Sequence, residues 1–364
     1  VQALRDIDVA ITSSLELSVT LNIVLEHVTT QLETDTAAIL LLNPHLNSLN
    51  YAAGRGFHTS AIQHTRLRLG ESYAGRAALQ RQTVGVPSLN DDPQGAALKA
   101  QFPMEDFEAF YGTPLLAKGQ VKGVLEVFHR SPLQPDEEWI NYFETLARQA
   151  AIAIDNANLF TELQRSNTDL ILAYDATIEG WSRALDLRDR ETEGHTQRVT
   201  RLTEQLARRL NVPDTQLVHI RRGALLHDIG KMGVPDRILH KNAELAEDER
   251  EVMNKHPHYA FEMLLPIHYL RPALDIPYSH HERWDGQGYP RRLKGEQIPL
   301  AARIFAVVDV WDALTSDRPY RPAWADEQAL EYLSAGSGTL FDPHVVDEFL
   351  RMMTETPDNK PTGD

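Results

Sequence analysis

The sequence predicts a multidomain chain: an α+β domain with an antiparallel sheet and helices, joined by a long helix to an all-α helical bundle. Three observations carry this. Short apolar runs, paired across turns, fill the chain up to Phe128. From Asp136 the pattern is helical and meets no breaker until Gly180. From Trp181 onward nearly every apolar run has helical spacing.

Residues 1–35 read as two short helices, with Leu17, Leu21, Val24, Leu25, Val28 and Leu32 at helical spacing. Thr36 to Leu42 is an apolar run ending at Asn43-Pro44, a strand and its turn. Leu49 to Ala53 pairs with it as a hairpin, and Gly54 and Gly56 follow. Gly70 to Arg81 reads as a helix and Val84-Gly85-Val86 as a short strand. Residues 90–106 read as a polar loop. Phe110 to Leu116 and Val121 to Phe128 form a second hairpin around Lys118-Gly119-Gln120.

In the connecting helix, Leu159, Leu163, Ser166, Leu170, Ala173 and Thr177 alternate four and three apart, a heptad-like seam. A helix of about 45 residues spans about 65 Å and cannot bury itself against one small domain. It is expected to pair with its twin in a parallel homodimer; the competing reading packs it along its own chain. Beyond it, Val199, Leu202, Leu206 and Leu210 mark one helix. Leu217, Ile220, Ala224 and Leu225 mark the next, ending at His227-Asp228. Glu247–Asn254, Tyr259–Leu265, Ala301–Leu314, Asp326–Leu333 and Pro343–Met353 complete the bundle. The boundaries are 1–135, 136–180 and 181–354, with a polar, flexible tail at 355–364.

The formal net charge is −16. Such a surface repels polyanions, so DNA and long RNA are excluded as partners. There are no cysteines, which excludes disulfides and thiolate zinc sites and fits a cytoplasmic protein. No run is long and apolar enough for a membrane span, and no signal peptide is visible. The chain begins at Val1 rather than Met, so we expect a fragment, with the presence of upstream domains left open.

The order of helix, strand and hairpins, the stretch TPLLAKGQVKGVLEVFHRSP and the closing helix FETLARQAAIAIDNANLF make roughly residues 1–160 resemble a GAF domain. That resemblance implies a sensor for a small molecule. The Asn-Lys-Phe…Asp-Glu signature of cyclic-nucleotide GAF domains is absent, as is a cysteine for a bilin. An unknown small-molecule ligand, or none, is expected.

The stretch IPYSHHERWDGQGYP holds adjacent histidines, His280 and His281, before a glycine-rich turn. At a helix end, both can reach one metal cluster. With Glu191, His195, His227, Asp228, His256 and Asp309 they make eight candidate ligands. Each has a plainer reading, such as an ion pair of Glu191 with Arg188 or Arg198, or a helix cap at His195 or His256. Asp309 is hardest to dismiss, because it lies in the apolar run IFAVVDVW and a buried carboxylate needs a counter-charge or a metal. Five histidines and three carboxylates on several helices suit a multinuclear site in a bundle. All-N/O ligation points to Fe or Mn rather than structural zinc. Two such ions lower the pKa of a shared water and clamp both oxygens of a phosphodiester displacement.

HDIGK at 227–231 together with HHERWDGQGYP resembles the HD-GYP family of HD phosphohydrolases. IPLAARIFAVVDVWDALTSDRPYR and GSGTLFDPHVVDEFL extend the likeness over about residues 170–352. The resemblance implies a cyclic di-GMP phosphodiesterase holding two or three divalent metal ions and yielding linear pGpG, with pGpG or GMP as the final product left open. It implies that the eight candidates are ligands, with Asp228 as the bridge between ions. It implies that Lys231 contacts the scissile phosphate, that Arg318 and Arg321 meet the other phosphate or a guanine, and that Tyr289 shapes the pocket wall. Where the family has Lys-Pro-Gly this chain has Lys241-Asn242-Ala243-Glu244, and it has Ala260 in place of a glycine. Neither departure removes a ligand. Glu191, four residues before His195, shares a helix face with it and predicts a third ion. Two other readings stand beside this one: an HD phosphohydrolase for another cyclic dinucleotide, and a catalytically weak cyclic dinucleotide sensor.

Overall fold

The computed structural model describes residues 17–189, 194–241, 243–317 and 321–355. Two compact units divide between Thr168 and Asp169.

The first unit is built on a six-stranded antiparallel sheet. Its strands are β1 (Thr36–Asn43), β2 (Ser48–Arg55), β3 (Arg66–Arg68), β4 (Val84–Val86), β5 (Ala109–Ala117) and β6 (Gln120–His129), in the order β3-β2-β1-β6-β5-β4. Asn43 turns the first hairpin, its side-chain oxygen accepting the His45 and Leu46 amides at 3.0 and 3.2 Å. The second hairpin closes through Lys118 and Gly119, both at positive φ, which matches the twist of the flanking strands. The strands read as apolar runs because both sheet faces are covered. On one face Ala37, Ile39, Leu125 and Val127 meet α1 (Leu17–Gln31) and the first turns of α4 (Glu137–Asp189), through Leu25, Phe143, Leu146 and Ala150. On the other, Ala38, Leu40, Val124 and Phe128 meet α2 (Ser72–Gln80) and α3 (Gly95–Gln101) through Tyr73, Ala77 and Leu98.

Three expectations needed correction in this unit. The polar loop at 90–106 contains α3, whose seven residues bury only Gly95 and Leu98, too few for a visible period. β3 is an unforeseen strand of three residues. The connecting helix does not stop at Gly180 but runs on to Asp189. The first of the two helices expected at 1–35 and the tail beyond Glu355 lie outside the described residues.

The second unit is helical among its described residues. Its helices are the end of α4, then α5 (His195–Arg209), α6 (Asp214–Leu225), α7 (Asp236–Leu239), α8 (Glu247–Met253), α9 (His256–Leu264), α10 (Asp275–Ser279), α11 (Leu300–Thr315), α12 (Asp326–Ala335) and α13 (Pro343–Glu355). The main core joins α5, α6, α11, α12 and α13 through Val199, Leu206, Ile220, Phe305, Val308, Leu333 and Phe349. A second cluster packs Ile178 of α4 on Leu226, Ile229, Ala260 and Leu264. α6 ends at Leu225, before the expected His227-Asp228, and a 3-10 turn (Ile229–Gly233) follows. α9 begins at His256 rather than Tyr259. Gly230 explains how α9 and the 3-10 turn come so close. A Cβ there would lie 1.8 Å from the His256 carbonyl oxygen, so only glycine fits.

One buried group in the sheet has a measurable consequence. Glu126 of β6 lies between Ala38 and Gly112, its Oε2 is buried, and that atom has no hydrogen-bond partner. Burial pushes its carboxyl from the ordinary 4.5 up to about 8. Between those values the unfolded chain is ionised while the folded chain keeps the proton. Stability therefore falls as pH rises through this window, by roughly 5 kcal/mol, and levels off above it. Glu126→Gln is expected to remove this slope. Hydrogen exchange of the β6 amides from pH 5 to 8.5 measures it, and the same slope in the variant would assign it to other groups.

Candidate metal centre

The second unit gathers its ligating side chains from helix ends. His195 opens α5, and Gly194 before it takes positive φ. His227 and Asp228 follow α6, His256 opens α9, and His280 and His281 follow α10. Asp309 alone comes from a helix interior, that of α11. Termini suit the task, because a helix end leaves backbone carbonyls free to orient a ring.

Three histidines use that device. His227 Nδ1 donates to the Ala224 carbonyl at 2.9 Å, His256 Nδ1 to Met253 at 2.8 Å, and His280 Nδ1 to Ile276 at 3.0 Å. Each carbonyl only accepts, so a proton sits on Nδ1 and Nε2 is turned inward. His195 does the same with a side chain: its Nδ1 donates to Asp312 Oδ2 at 2.7 Å. The inward nitrogens converge on Asp228. His256 and His280 Nε2 lie 3.3 and 3.7 Å from its Oδ1, and His227 Nε2 lies 3.0 Å from its Oδ2. His195 Nε2 lies 3.5 Å from Asp309 Oδ1. The ligand atoms fall into two groups, Asp228 with His256, His280 and His281, and His195 with His227 and Asp309. Beneath them the Phe305 ring packs on His227 and His280 at 4.8 and 5.9 Å, an apolar floor.

The electrostatics call for cations. Nε2 of His256 and of His280 stand 3.4 Å apart, two lone pairs facing each other in a buried place. Burial holds His280 below the ordinary imidazole value and His281 well below it, so neither ring brings its own charge. Burial opposes ionisation of Asp228, but Lys231 and His227 outweigh it and hold the carboxyl well below the usual range. Burial likewise opposes a proton on His227, yet Asp228 beside it raises the ring to about 9. A divalent ion there would displace that proton, so uptake of metal would release protons. Imidazoles, carboxylates and no thiol form a donor set that fits divalent metal ions.

Of the eight predicted ligands, seven are described and brought together. Glu191 and Arg318 lie outside the described residues. Lys231 sits on the 3-10 turn with Nζ 2.7 Å from Asp228 Oδ2. Tyr289 stacks on His281 at 4.8 Å. Arg321 is employed elsewhere: its Nη2 donates to the Ala313 and Leu314 carbonyls at the end of α11, and its guanidinium lies over Trp324. Those contacts make it a helix cap. The expected burial of Asp309 also needs correction. Its side chain is 23% exposed, at the mouth of the site, whereas Asp312 at 5% is the buried carboxylate of this helix. Sequence reasoning passed over Asp312, although it follows Asp309 by three residues on the same helical face. Burial opposes its ionisation, but hydrogen bonds from His195 and Arg198 hold it down to about 2. Arg198 contributes Nε and Nη2 at 2.7 and 2.9 Å.

Residues 180–345 match the family model of the HD domain, and residues 14–155 match that of the GAF domain. Among characterised proteins, the chain is 37% identical over 216 residues to 3′3′-cGAMP-specific phosphodiesterase 2 of Vibrio cholerae, covering 57% of this chain and 40% of the relative. It is 43% identical over 177 residues to the cyclic di-GMP phosphodiesterase response regulator RpfG of Xanthomonas campestris, covering 48% and 47%. It is 30% identical over 293 residues to 3′3′-cGAMP-specific phosphodiesterase 3 of Vibrio cholerae, covering 75% and 63%. The chain thus spans less than two thirds of each of these relatives.

Asp312 supports His195 from behind, and such outer partners are commonly worth about 10–100-fold in metal affinity. Asp312→Asn is expected to weaken metal binding by about that factor while the helices remain folded. An anaerobic titration against a competing chelator reads the affinity, and circular dichroism reads the fold. Unchanged affinity would remove His195 from the ligand set.

Proposed function

Because the chain joins a GAF domain to an HD domain of the HD-GYP type, we propose that it is a metal-dependent phosphodiesterase that opens cyclic di-GMP to linear pGpG and then GMP. One observation carries the reading: the two oxygens of Asp228 face different donors, Oδ1 toward His256 and His280, Oδ2 toward His227 and Lys231. A carboxylate so placed can bridge two ions. The divalent ions, when bound, lower the pKa of a water and draw charge from the phosphoryl oxygens.

The chain's own residues do the rest. Seven described donors fix the reacting centre on the Phe305 floor. Lys231 sets a positive charge where a phosphoryl oxygen gathers negative charge in the transition state. The Tyr289 ring, flat on His281, walls the pocket. Water adds to one phosphorus, the bond to the 3′-oxygen breaks, and that oxygen leaves as a hydroxyl. A third ion held by Glu191 belongs to the same proposal, and elemental analysis of wild type against Glu191→Ala counts it. The names of the relatives support cyclic dinucleotides in general, and two of the three specify 3′3′-cGAMP. That compound is therefore the second reading of the substrate.

A second copy of the chain and the GAF domain enter as regulators. Leu159, Leu163 and Leu170 of the heptad seam are all exposed on α4, as a parallel pairing of two such helices requires. No helix among the described residues is long and apolar enough to cross a membrane. We place the protein in the cytoplasm, which cell fractionation tests.

Three outcomes follow. Metal-loaded protein, kept anaerobic and offered cyclic di-GMP, 3′3′-cGAMP and cyclic di-AMP, is expected to favour cyclic di-GMP. Lys231→Ala should keep its metals and lose about 100-fold in kcat, the scale of one transition-state contact. No turnover of any dinucleotide by loaded wild type would reject the enzyme reading in favour of the sensor. Inserting one or two residues after Ser166 should change activity more than inserting seven, because only a whole heptad restores the seam. Equal effects, or a fully active monomer, would count against the dimer.

A further inference from the structure

The last turn of α4 is fastened to the turn that carries Lys231. Ile178, Ser182 and Leu185 form the buried stripe of this part of α4, four and three residues apart. One more step of four along the stripe reaches Asp189, so the packing that buries Ile178 and Leu185 also delivers the Asp189 carboxylate inward. Its Oδ2 lies 2.5 Å from Lys231 Nζ. On the neighbouring position, Arg188 Nη1 donates to the Lys231 carbonyl, and its Nη2 donates to the Val234 carbonyl, each at 2.8 Å. Arg188 Nη2 also pairs with Asp236 at 2.8 Å, and His240 Nε2 donates to the Arg188 carbonyl at 2.6 Å. Two consecutive residues of α4 thus hold both the backbone and the ammonium of the Lys231 turn.

We infer that Asp189 is a positioning residue for Lys231, with Arg188 locking the turn on which it rides, so that the end of α4 sets the pose of the ammonium. A lysine has four rotatable carbons and little geometry of its own. Between Asp189 and Asp228 its ammonium is held on two sides. With Asp189 gone, the ammonium would lean toward Asp228 Oδ2, 2.7 Å away, and leave the pose in which it meets a phosphoryl oxygen. α4 is one continuous helix from Glu137, so a shift or rotation of its last turn reaches Lys231 directly while the imidazoles stay in place. The inference rests on the proposed role of Lys231 in phosphodiester hydrolysis.

The test is a double-mutant cycle in the full metal-loaded chain, read on cyclic di-GMP and on bis(p-nitrophenyl) phosphate. Asp189→Ala is expected to lower kcat by about tenfold or more with KM and metal content little changed. In a Lys231→Ala background the same change should cost less than about twofold, because Asp189 acts through Lys231. Asp189→Asn, which keeps the oxygen but not the charge, should fall between and guards against misfolding of the alanine variant. A second reading needs no turnover. Reductive methylation of Lys231, followed by mass spectrometry, should be several-fold faster in Asp189→Ala and in Arg188→Ala than in wild type. Additive losses in the cycle, or unchanged labelling, would overturn the inference. Turnover of the aryl ester but not of cyclic di-GMP would reject the substrate reading alone, with the cycle still decisive. If neither is hydrolysed, the labelling rate decides.

Discussion

A carboxylate taken out of water must be answered by positive charge, and Asp228 is the carboxylate on which the helical unit turns. Three imidazoles and an ammonium surround it within 3.7 Å. Without metal, the Lys231 ammonium and the His227 ring, raised to about 9, answer its charge, while His280 and His281 stay neutral. Binding of metal and stability of the fold are linked through this arrangement.

The rest of the helical unit serves to hold those lone pairs in place. His227, His256 and His280 are oriented by carbonyls three or four residues before them at helix ends, so their direction follows from local backbone geometry. His195 is oriented by Asp312, which Arg198 holds in turn. Gly230 is the point at which the α9 terminus can press against the Lys231 turn. Each is a close approach that a slightly larger or differently placed group would prevent.

The sheet unit follows other physics. Its strands are buried on both faces, and its second face tolerates a carboxylate, Glu126, without a partner for Oε2. Such a group keeps its proton at neutral pH instead of being paired. The helical unit pairs its buried charges and the sheet unit neutralises one of its own. The α4 helix begins on the first kind of core and ends among the ion pairs of Asp175, Arg188 and Asp189.

The ligand types, the helical bundle and the two-hairpin sheet were legible in the sequence because they depend on residue identity and short-range period. A histidine next to an aspartate at a helix end, or adjacent histidines before a glycine turn, carry their chemistry in one dimension. α3 was hidden because seven residues with two buried positions show no period. The difference between Asp309 and Asp312 was hidden for another reason: three residues apart on one face, they differ only in depth, and depth is set by α5 packing across them. The contact of the Arg321 guanidinium with the end of α11 was not legible in local pattern. The approach of Asp189 to Lys231, 42 residues away in the chain, has no trace in local pattern. Sequence alone determined which side chains can bind metal and on which kinds of element they lie. Tertiary structure decided which of them face one another, because burial and direction are properties of helices packed from distant parts of the chain.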